Sequence, residues 1–424
     1  MLIIYRLLIN LAILFSPIII FIRLIKKKED FKRFKEKFCF FSEKRKSGKL
    51  IWFHGASVGE VKSIVPLIEK LEKEKKINQI LITSSTLSSS KIFKKFKFKK
   101  TVHQFFPIDS FANSKKFLDY WRPSLAIFID SEIWPNMLLN LKEKKIHSIL
   151  LNARMTKKSF NNWIYFRNFA QKIFQCFDIT FPQNKETLRY LRVLNVKKIK
   201  FLGNIKFSEN EIQLDNNINL KVRKFLKNKK YWCASSTHDN EEVICAKAHI
   251  KLKEKIKNLI TIIIPRHTNR TPEITSTLRN LNLKVHCHSS NETIKKNTDI
   301  YIVDTYGETV SFFKICNVVF LGGSLINHGG QNPIEALQLD CAVIHGPHMT
   351  NFQWITQEMI RLGCSVQIHS AEELTTTICN LLSDDEKRLH MISMGKDFVK
   401  SHSEAVNLVA SEINQILVTQ HADA

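Results

Sequence analysis

Short apolar runs alternate along this chain with longer stretches in which apolar residues recur at helical spacing. Residues 50–54 (LIWFH), 80–83 (ILIT), 124–129 (SLAIFI) and 147–151 (HSILL) are brief and almost wholly apolar, the pattern of strands buried on both faces. Between them, 61–75 and 137–145 carry the amphipathic period of helices. This alternation predicts βαβ units and a parallel sheet covered on both sides. A polar stretch, SENEIQLDNNIN at 208–219, then breaks the pattern and reads as a linker. A second series comes after it, with strands expected at 231–234, 260–264, 300–303, 318–321 and 343–345. Two such runs predict two Rossmann-like α/β domains, 26–207 and 221–424, joined by a linker at 208–220. Ligands of such sheets bind beyond the carboxyl ends of the strands, so two domains offer a cleft.

The first thirty residues obey a different rule. Between Arg6 and Arg23 lie sixteen residues without a charge, interrupted by Pro17. A perpendicular span needs about 20 apolar residues, so residues 1–25 suffice only with both arginines near the ends, where they can snorkel. No small-residue cleavage site stands after them, which disfavours a signal peptide. Lys26, Lys27 and Lys28 come next, and residues 1–50 hold 13 Lys/Arg against 4 Asp/Glu. The positive-inside bias places the chain beyond Ile25 on the cytoplasmic side. We read 1–25 as a membrane anchor; a buried helix of the globular body is the alternative.

Composition adds a charge of +26 over 424 residues, which points to anionic partners: nucleic acid, an acidic membrane surface or phosphorylated substrates. A biased coding composition, rich in Lys, Ile, Asn and Phe, accounts for the same excess. Residues 91–100 (KIFKKFKFKK) interleave six lysines with three phenylalanines, a pattern that suits nucleic acid or anionic lipid; the neighbouring anchor favours lipid, and a solvated helix face is the alternative. Nine scattered cysteines without a CxxC pair support neither a disulfide framework nor a zinc ribbon, and fit a reducing compartment. His286-Cys287-His288 lacks a second ligand cluster at metal-site spacing.

Glycine is scarce, yet six of the twelve fall in two short segments, at 55 and 59 and at 322, 323, 329 and 330. Each segment succeeds an expected strand and precedes an expected helix, where helix-terminal N–H groups receive anions. In HGASVGE (54–60), Glu60 falls in the first helical turn. There it either complements the helix dipole or acts as a general base on an acceptor hydroxyl. In GGSLINHGGQNPIE (322–335), Asn332 and Pro333 fit the start of a helix. The free N–H groups of this segment, near Gly323 and Ser324 and at the helix start, fit a phosphate, and Glu335 fits ribose hydroxyls. Arg266 ends a strand as a phosphate ligand, and Tyr306, Gly307 and Glu308 lie just beyond the next strand. Asp130 and Glu132 stand directly after a strand in DSEIWPN, and Lys206 lies just before the linker.

In this order, the segments resemble the bacterial Kdo transferases, which attach 3-deoxy-D-manno-octulosonic acid to lipid A precursors. The matching blocks are FHGASVGE (53–60), DSEIWPN (130–136), LNARMTKKS (151–159), GNIKF (203–207) and ASSTHDNEE (234–242). IPRH (264–267), DTYGE (304–308), FLGGSLINHGGQNPIEA (320–336) and GPHMTNF (346–352) complete the set. The resemblance implies a GT-B fold with an N-terminal anchor and a metal-independent, inverting transfer from CMP-Kdo to lipid IVA. It implies no cofactor beyond that donor, and a place on the cytoplasmic face of the inner membrane. It makes Glu60 the proton acceptor and gives Asp130 and Lys206 a part in supporting the transition state. CMP contacts fall on Pro265, Arg266, Tyr306, Gly307, Glu308, Asn332, Pro333, Ile334 and Glu335. The family usually carries Glu where this chain has Asp130, a departure that shortens the side chain. A GT-B enzyme using a UDP-sugar on another lipid-linked acceptor is the rival reading. A non-catalytic nucleic-acid-binding protein would leave both glycine-rich turns and the apolar N-terminus without purpose.

Overall fold

The computed structural model describes residues 1–208 and 218–419, so most of the expected linker, 209–217, lies outside the described residues. The chain forms two compact units, Met1–Asn210 together with His402–Ala424, and Glu211–Ser401.

The first unit is built on six parallel strands: β1 (Leu50–His54), β2 (Gln79–Ser84), β3 (Thr101–Phe105), β4 (Leu125–Ile129), β5 (His147–Ala153) and β6 (Ile179–Pro182). Their order is β3-β2-β1-β4-β5-β6. The chain runs outward from β1 to β3, returns, and continues from β4 in the other direction. The two directions part between β1 and β4, where Ile51 pairs with Leu125 and Phe53 with Ile127. Alternate residues of β1 point to opposite faces, so Trp52 joins a core with Phe117, Trp121 and Phe128. Ile51 and Phe53 join a second core with Ile80, Ile82 and Ile127. Each such side chain contributes about 1.5–3 kcal/mol on full burial.

The expected helix over 61–75 is two helices, Val58–Ser63 and Val65–Glu72. Pro66, which has no N–H for the preceding turn, marks the break. The chain end also departs from the expected 221–424 domain. Helix Ala405–Thr419 carries Val406, Val409, Ala410, Ile413 and Leu417 at helical spacing, and they pack with Leu67, Ile68 and Leu71 of the first unit.

The second unit has seven parallel strands: β7 (Lys230–Thr237), β8 (Leu259–Pro265), β9 (Val285–Cys287), β10 (Ile300–Ile302), β11 (Val318–Leu321), β12 (Ala342–His345) and β13 (Ser365–Gln367). The order β13-β12-β11-β7-β8-β10-β9 again reverses beside the first strand, between β7 and β11. His286 and Cys287 are successive residues of β9 and so face opposite sides, while His288 Nδ1 lies 2.8 Å from the Tyr301 hydroxyl.

The 91–100 stretch separates its two residue types. Phe93 and Phe98 meet with ring centres 5.6 Å apart and pack against the first unit's core. Lys91, Lys94, Lys95, Lys97 and Lys99 face outward. The rings of Phe93 and Phe98 are occupied by packing, which leaves an exposed basic face.

Candidate active site

In the first unit the expected residues gather at the carboxyl ends of β1, β4 and β5, three adjacent strands. Ser57 caps helix Val58–Ser63, and Glu60 completes a capping box by reaching back. Its Oε2 accepts from the Ala56 N–H at 2.6 Å, and its Oε1 accepts from the Ser57 hydroxyl at 2.8 Å. Both notions of Glu60 therefore have a physical basis: it caps a helix and it stands at the strand-order reversal. Burial raises its pKa above the ordinary carboxylate value, the charge of Asp130 raises it further, and the Ser57 hydrogen bond opposes both. A half-buried carboxylate held this way is poised to take a proton.

Asp130 succeeds β4 in the left-handed region, at φ 56°, a conformation that Asp and Asn tolerate better than most residues. Its Oδ2 receives the Lys206 ammonium at 2.6 Å and its Oδ1 receives the Asn152 amide at 2.8 Å. Asn152, at φ 55°, also accepts from the Ile205 N–H at 3.3 Å. Asp130 and Lys206, separated by 76 residues, are thus one ion pair, with Asn152 bracing both.

Glu132 heads a second group. Its Oε2 lies 3.1 Å from His54 Nε2 and accepts from the Trp134 indole N–H at 2.9 Å. Burial pushes the Glu132 carboxyl up, but the His54 and Trp134 hydrogen bonds outweigh it, and its pKa falls below the ordinary value. Beside Asp130, Ile133, Arg154, Met155, Trp163 and Leu191 line part of a cavity of about 220 Å³.

In the second unit the expected donor residues lie beyond β8, β10 and β11, which with β7 form a contiguous run of strands. Pro265 is buried at the end of β8 and Arg266 is exposed beyond it, with the Arg266 N–H bonded to Thr237 O at 3.0 Å. Tyr306 is 76% exposed. Gly307 has φ +94°, a conformation that favours glycine, and Glu308 precedes helix Thr309–Phe313. Asn332 accepts from the Ile334 N–H at 3.1 Å. Pro333 and Ile334 are buried there, and Glu335 stands in the first turn.

One expectation is corrected by these contacts. The N–H groups of Gly323, Ser324 and Leu325 do not await a phosphate; they bind the Glu241 carboxylate at 2.6, 3.1 and 3.1 Å. Glu241 is fully buried and also accepts from the His238 N–H at 3.0 Å. Its charge satisfies the N–H groups that the phosphate was expected to meet. Gly322 serves close approach instead, since a Cβ there would meet Ser236 O at 2.5 Å. The His238 ring lies against His328, tilted by 44° with centres 3.9 Å apart. Burial, with His328 second, lowers its pKa to about 4, which leaves it neutral near pH 7.

A sequence model of the 3-deoxy-D-manno-octulosonic-acid transferase (kdotransferase) family matches residues 32–209. A 3-deoxy-D-manno-octulosonic acid transferase of Rickettsia bellii is 35% identical over 381 residues, 89% of this chain and 91% of the relative. This chain belongs to the Kdo transferase family. The Haemophilus influenzae Kdo transferase is 28% identical over 360 residues, 84% of each chain. Among solved structures, the UDP-GlcNAc 2-epimerase from Neisseria meningitidis, bound to UDP-GlcNAc, aligns with a TM-score of 0.60. It covers 88% of this chain and 100% of its own, at 13% identity. That likeness concerns the fold alone: two Rossmann-like units of the GT-B class.

The protein is thus a glycosyltransferase of the Kdo class. Three of its features escaped the sequence reading: the His54–Glu132–Trp134 group, Asn152 as brace, and Glu241 as occupant of the glycine-rich turn. Glu132 and Asn152 stand inside blocks that the resemblance had marked, which was their available signal. Glu241 stands inside such a block too, ASSTHDNEE, but its partners lie 82 to 84 residues away, so its place in the glycine-rich turn had no local signal.

Proposed function

We propose that this Kdo transferase moves Kdo from CMP-Kdo to a lipid A precursor of the lipid IVA type, with inversion and without a metal, and with Glu60 as general base. The reading rests on one observation above the others: a half-buried glutamate of raised pKa at the β1/β4 reversal, beside the Asp130–Lys206 pair. Glu60 takes the proton of the acceptor hydroxyl as that oxygen bonds to the anomeric carbon of Kdo. The bond from that carbon to the phosphate oxygen breaks, its electron pair leaves on phosphate, and CMP departs. Arg266 binds the phosphate as a charge-assisted donor. Pro265, Tyr306, Gly307, Glu308 and the Asn332–Glu335 turn hold the nucleotide. Lys206, fixed by Asp130, offsets negative charge developing near the base.

A lipid acceptor also gives the apolar N-terminus its purpose. Helix Leu2–Ile25 has a mean hydropathy of 2.4 and is mostly unburied, and the exposed Lys26, Lys27 and Lys28 come directly after it. We place the enzyme at the cytoplasmic face of the inner membrane, the lysines against anionic headgroups.

The test is to mix protein, CMP-Kdo and tetraacylated lipid A precursor and to track CMP release and lipid mass together. Release with a mass gain of one or more Kdo units is expected. No release from intact donor and folded protein, with thermal protection by UDP rather than CMP, would replace this reading with the UDP-sugar one.

A further inference from the structure

Both ends of the N-terminal helix rest on the same globular unit. Near its start, the Tyr5 hydroxyl donates to Asp109 Oδ2 at 2.7 Å, and Arg6 Nε donates to Asn136 Oδ1 at 3.0 Å. The Arg6 guanidinium also lies 4.8 Å from the centre of the Phe111 ring. Met1 and Leu2 line a surface hollow together with Tyr165, Phe166 and Arg167. At the far end, Arg23 meets Glu29 at 2.7 Å, and Glu29 also holds Lys37 at 2.6 Å. That segment is tied down in turn: Glu36 accepts from the Phe105 N–H of β3 at 2.7 Å, and Arg33 donates to His103 O at 2.7 Å.

Tyr5 and Arg23 are 18 residues apart, about 27 Å along a helix. A helix crossing the ~30 Å hydrocarbon layer carries its two ends to opposite sides. Here both ends are fastened to one side, while Ile3, Leu7, Leu14, Ile18, Phe21 and Ile25 point away, each at least 59% exposed. The Tyr5 contact is also not peripheral. Asp109 accepts from the N–H groups of Asn136 and Met137 at 3.0 and 2.8 Å, so it caps the helix that begins just past Glu132 and Trp134.

We infer that residues 2–25 lie along the cytoplasmic surface of the membrane, sunk in one leaflet rather than spanning it. Tyr5 and Arg6 latch this helix to the Asp130–Asn136 segment. The occupant of the exposed apolar face is lipid: the face is continuous along the helix, and the exposed lysines at its end match anionic headgroups. Tyr165 and Phe166, beside Met1, continue the surface with aromatic rings of the kind found at membrane interfaces. Tyr5 and Arg6 are then positioning residues, which set the loop bearing Glu132 relative to the lipid surface. The inference rests on the membrane reading above.

A protease-cleavable tag placed ahead of Met1 of the full chain decides the orientation. Digestion in inverted vesicles with protection in intact spheroplasts is expected; digestion from outside the spheroplasts overturns the in-plane helix. Extraction by salt alone would instead overturn the membrane reading, and the orientation with it. The latch is read by Tyr5→Phe combined with Arg6→Gln, assayed on detergent-dispersed acceptor. The KM for the lipid should rise about tenfold, the loss of one or two hydrogen bonds, with the KM for CMP-Kdo unchanged. An unchanged lipid KM, or an equal rise in both, refutes a latch to the acceptor side. A thermal melt matching the parent shows that the variant is folded.

Discussion

Glu60 and Glu241 hold the same place in their two units, in the first helical turn after the first strand of each sheet, yet they do opposite things. Glu241 is completely buried and accepts four backbone N–H groups, those of His238, Gly323, Ser324 and Leu325. Its bonding capacity is spent on holding the β7 and β11 turns together. Glu60 is half-buried and takes one short backbone N–H bond and one hydroxyl, and Asp130 and Glu132 add negative charge around it. A carboxylate whose lone pairs are all claimed by N–H groups is structural. One left with spare capacity and a raised pKa is available for proton transfer.

The largest break in that comparison comes from exchanging the two carboxylates for amides or alanine. Glu60→Gln keeps the size of the side chain and much of the cap, so the protein should fold and bind CMP-Kdo. Transfer should fall about a thousandfold, in the range that general bases supply. Residual transfer within tenfold of the parent enzyme would dismiss Glu60 as base. Glu241→Ala should act in the other currency, stability. It strands four buried donors, at about 3 kcal/mol or more, and should lower the denaturation midpoint sharply. A variant that melts like the parent but no longer binds nucleotide would instead make Glu241 a ligand residue.

The Asp130–Lys206 pair sharpens the contrast within the first unit. Lys206→Met leaves a buried carboxylate braced only by Asn152, and we expect transfer to fall about 10- to 100-fold, from loss of one electrostatic contact. Asp130→Asn should cost a similar factor, and the double variant little more than either single one, because the two act as one unit. Full additivity in kcat/KM would mean that the two residues work separately.

Much of this fold was legible because parallel strands buried on both faces leave uninterrupted apolar runs. LIWFH and VVFL appear with their boundaries intact, as Leu50–His54 and Val318–Leu321. The four unread strands lack that signature. β3 is TVHQF, with buried His103 and Gln104, and it comes after the lysine run; β6 is four residues ending in proline; β9 and β13 have three residues each. The C-terminal helix was expected within the 221–424 domain and instead belongs to the first unit, because an amphipathic face does not say which sheet it will cover. At the site, glycine clustering and the paired acids marked segments that the fold brings to the carboxyl ends of adjacent strands. Which group fills the Gly323 turn depends on a contact across more than eighty residues, and no local pattern encodes that. At Gly323 and Ser324 the expectation of a phosphate was right about the chemistry of the turn, an anion on N–H groups, and wrong about the anion.

The smallest predicted effect tests the electrostatics directly. A raised pKa at Glu60 means that folding favours its protonated form. Its contribution to stability is therefore present at low pH and is lost as pH rises through the folded-state value. Catalysis needs the ionised form, so kcat/KM should rise across that same interval, at a pH where ordinary carboxylates are already charged. Glu132→Gln removes one of the negative charges facing Glu60 while keeping an oxygen for the Trp134 indole. The acid limb of the kcat/KM profile should then move to lower pH, with the plateau near the parent's. A limb that stays in place, or moves up, would show that the Glu132 charge takes no part in tuning the base and would leave burial and Asp130 to set it.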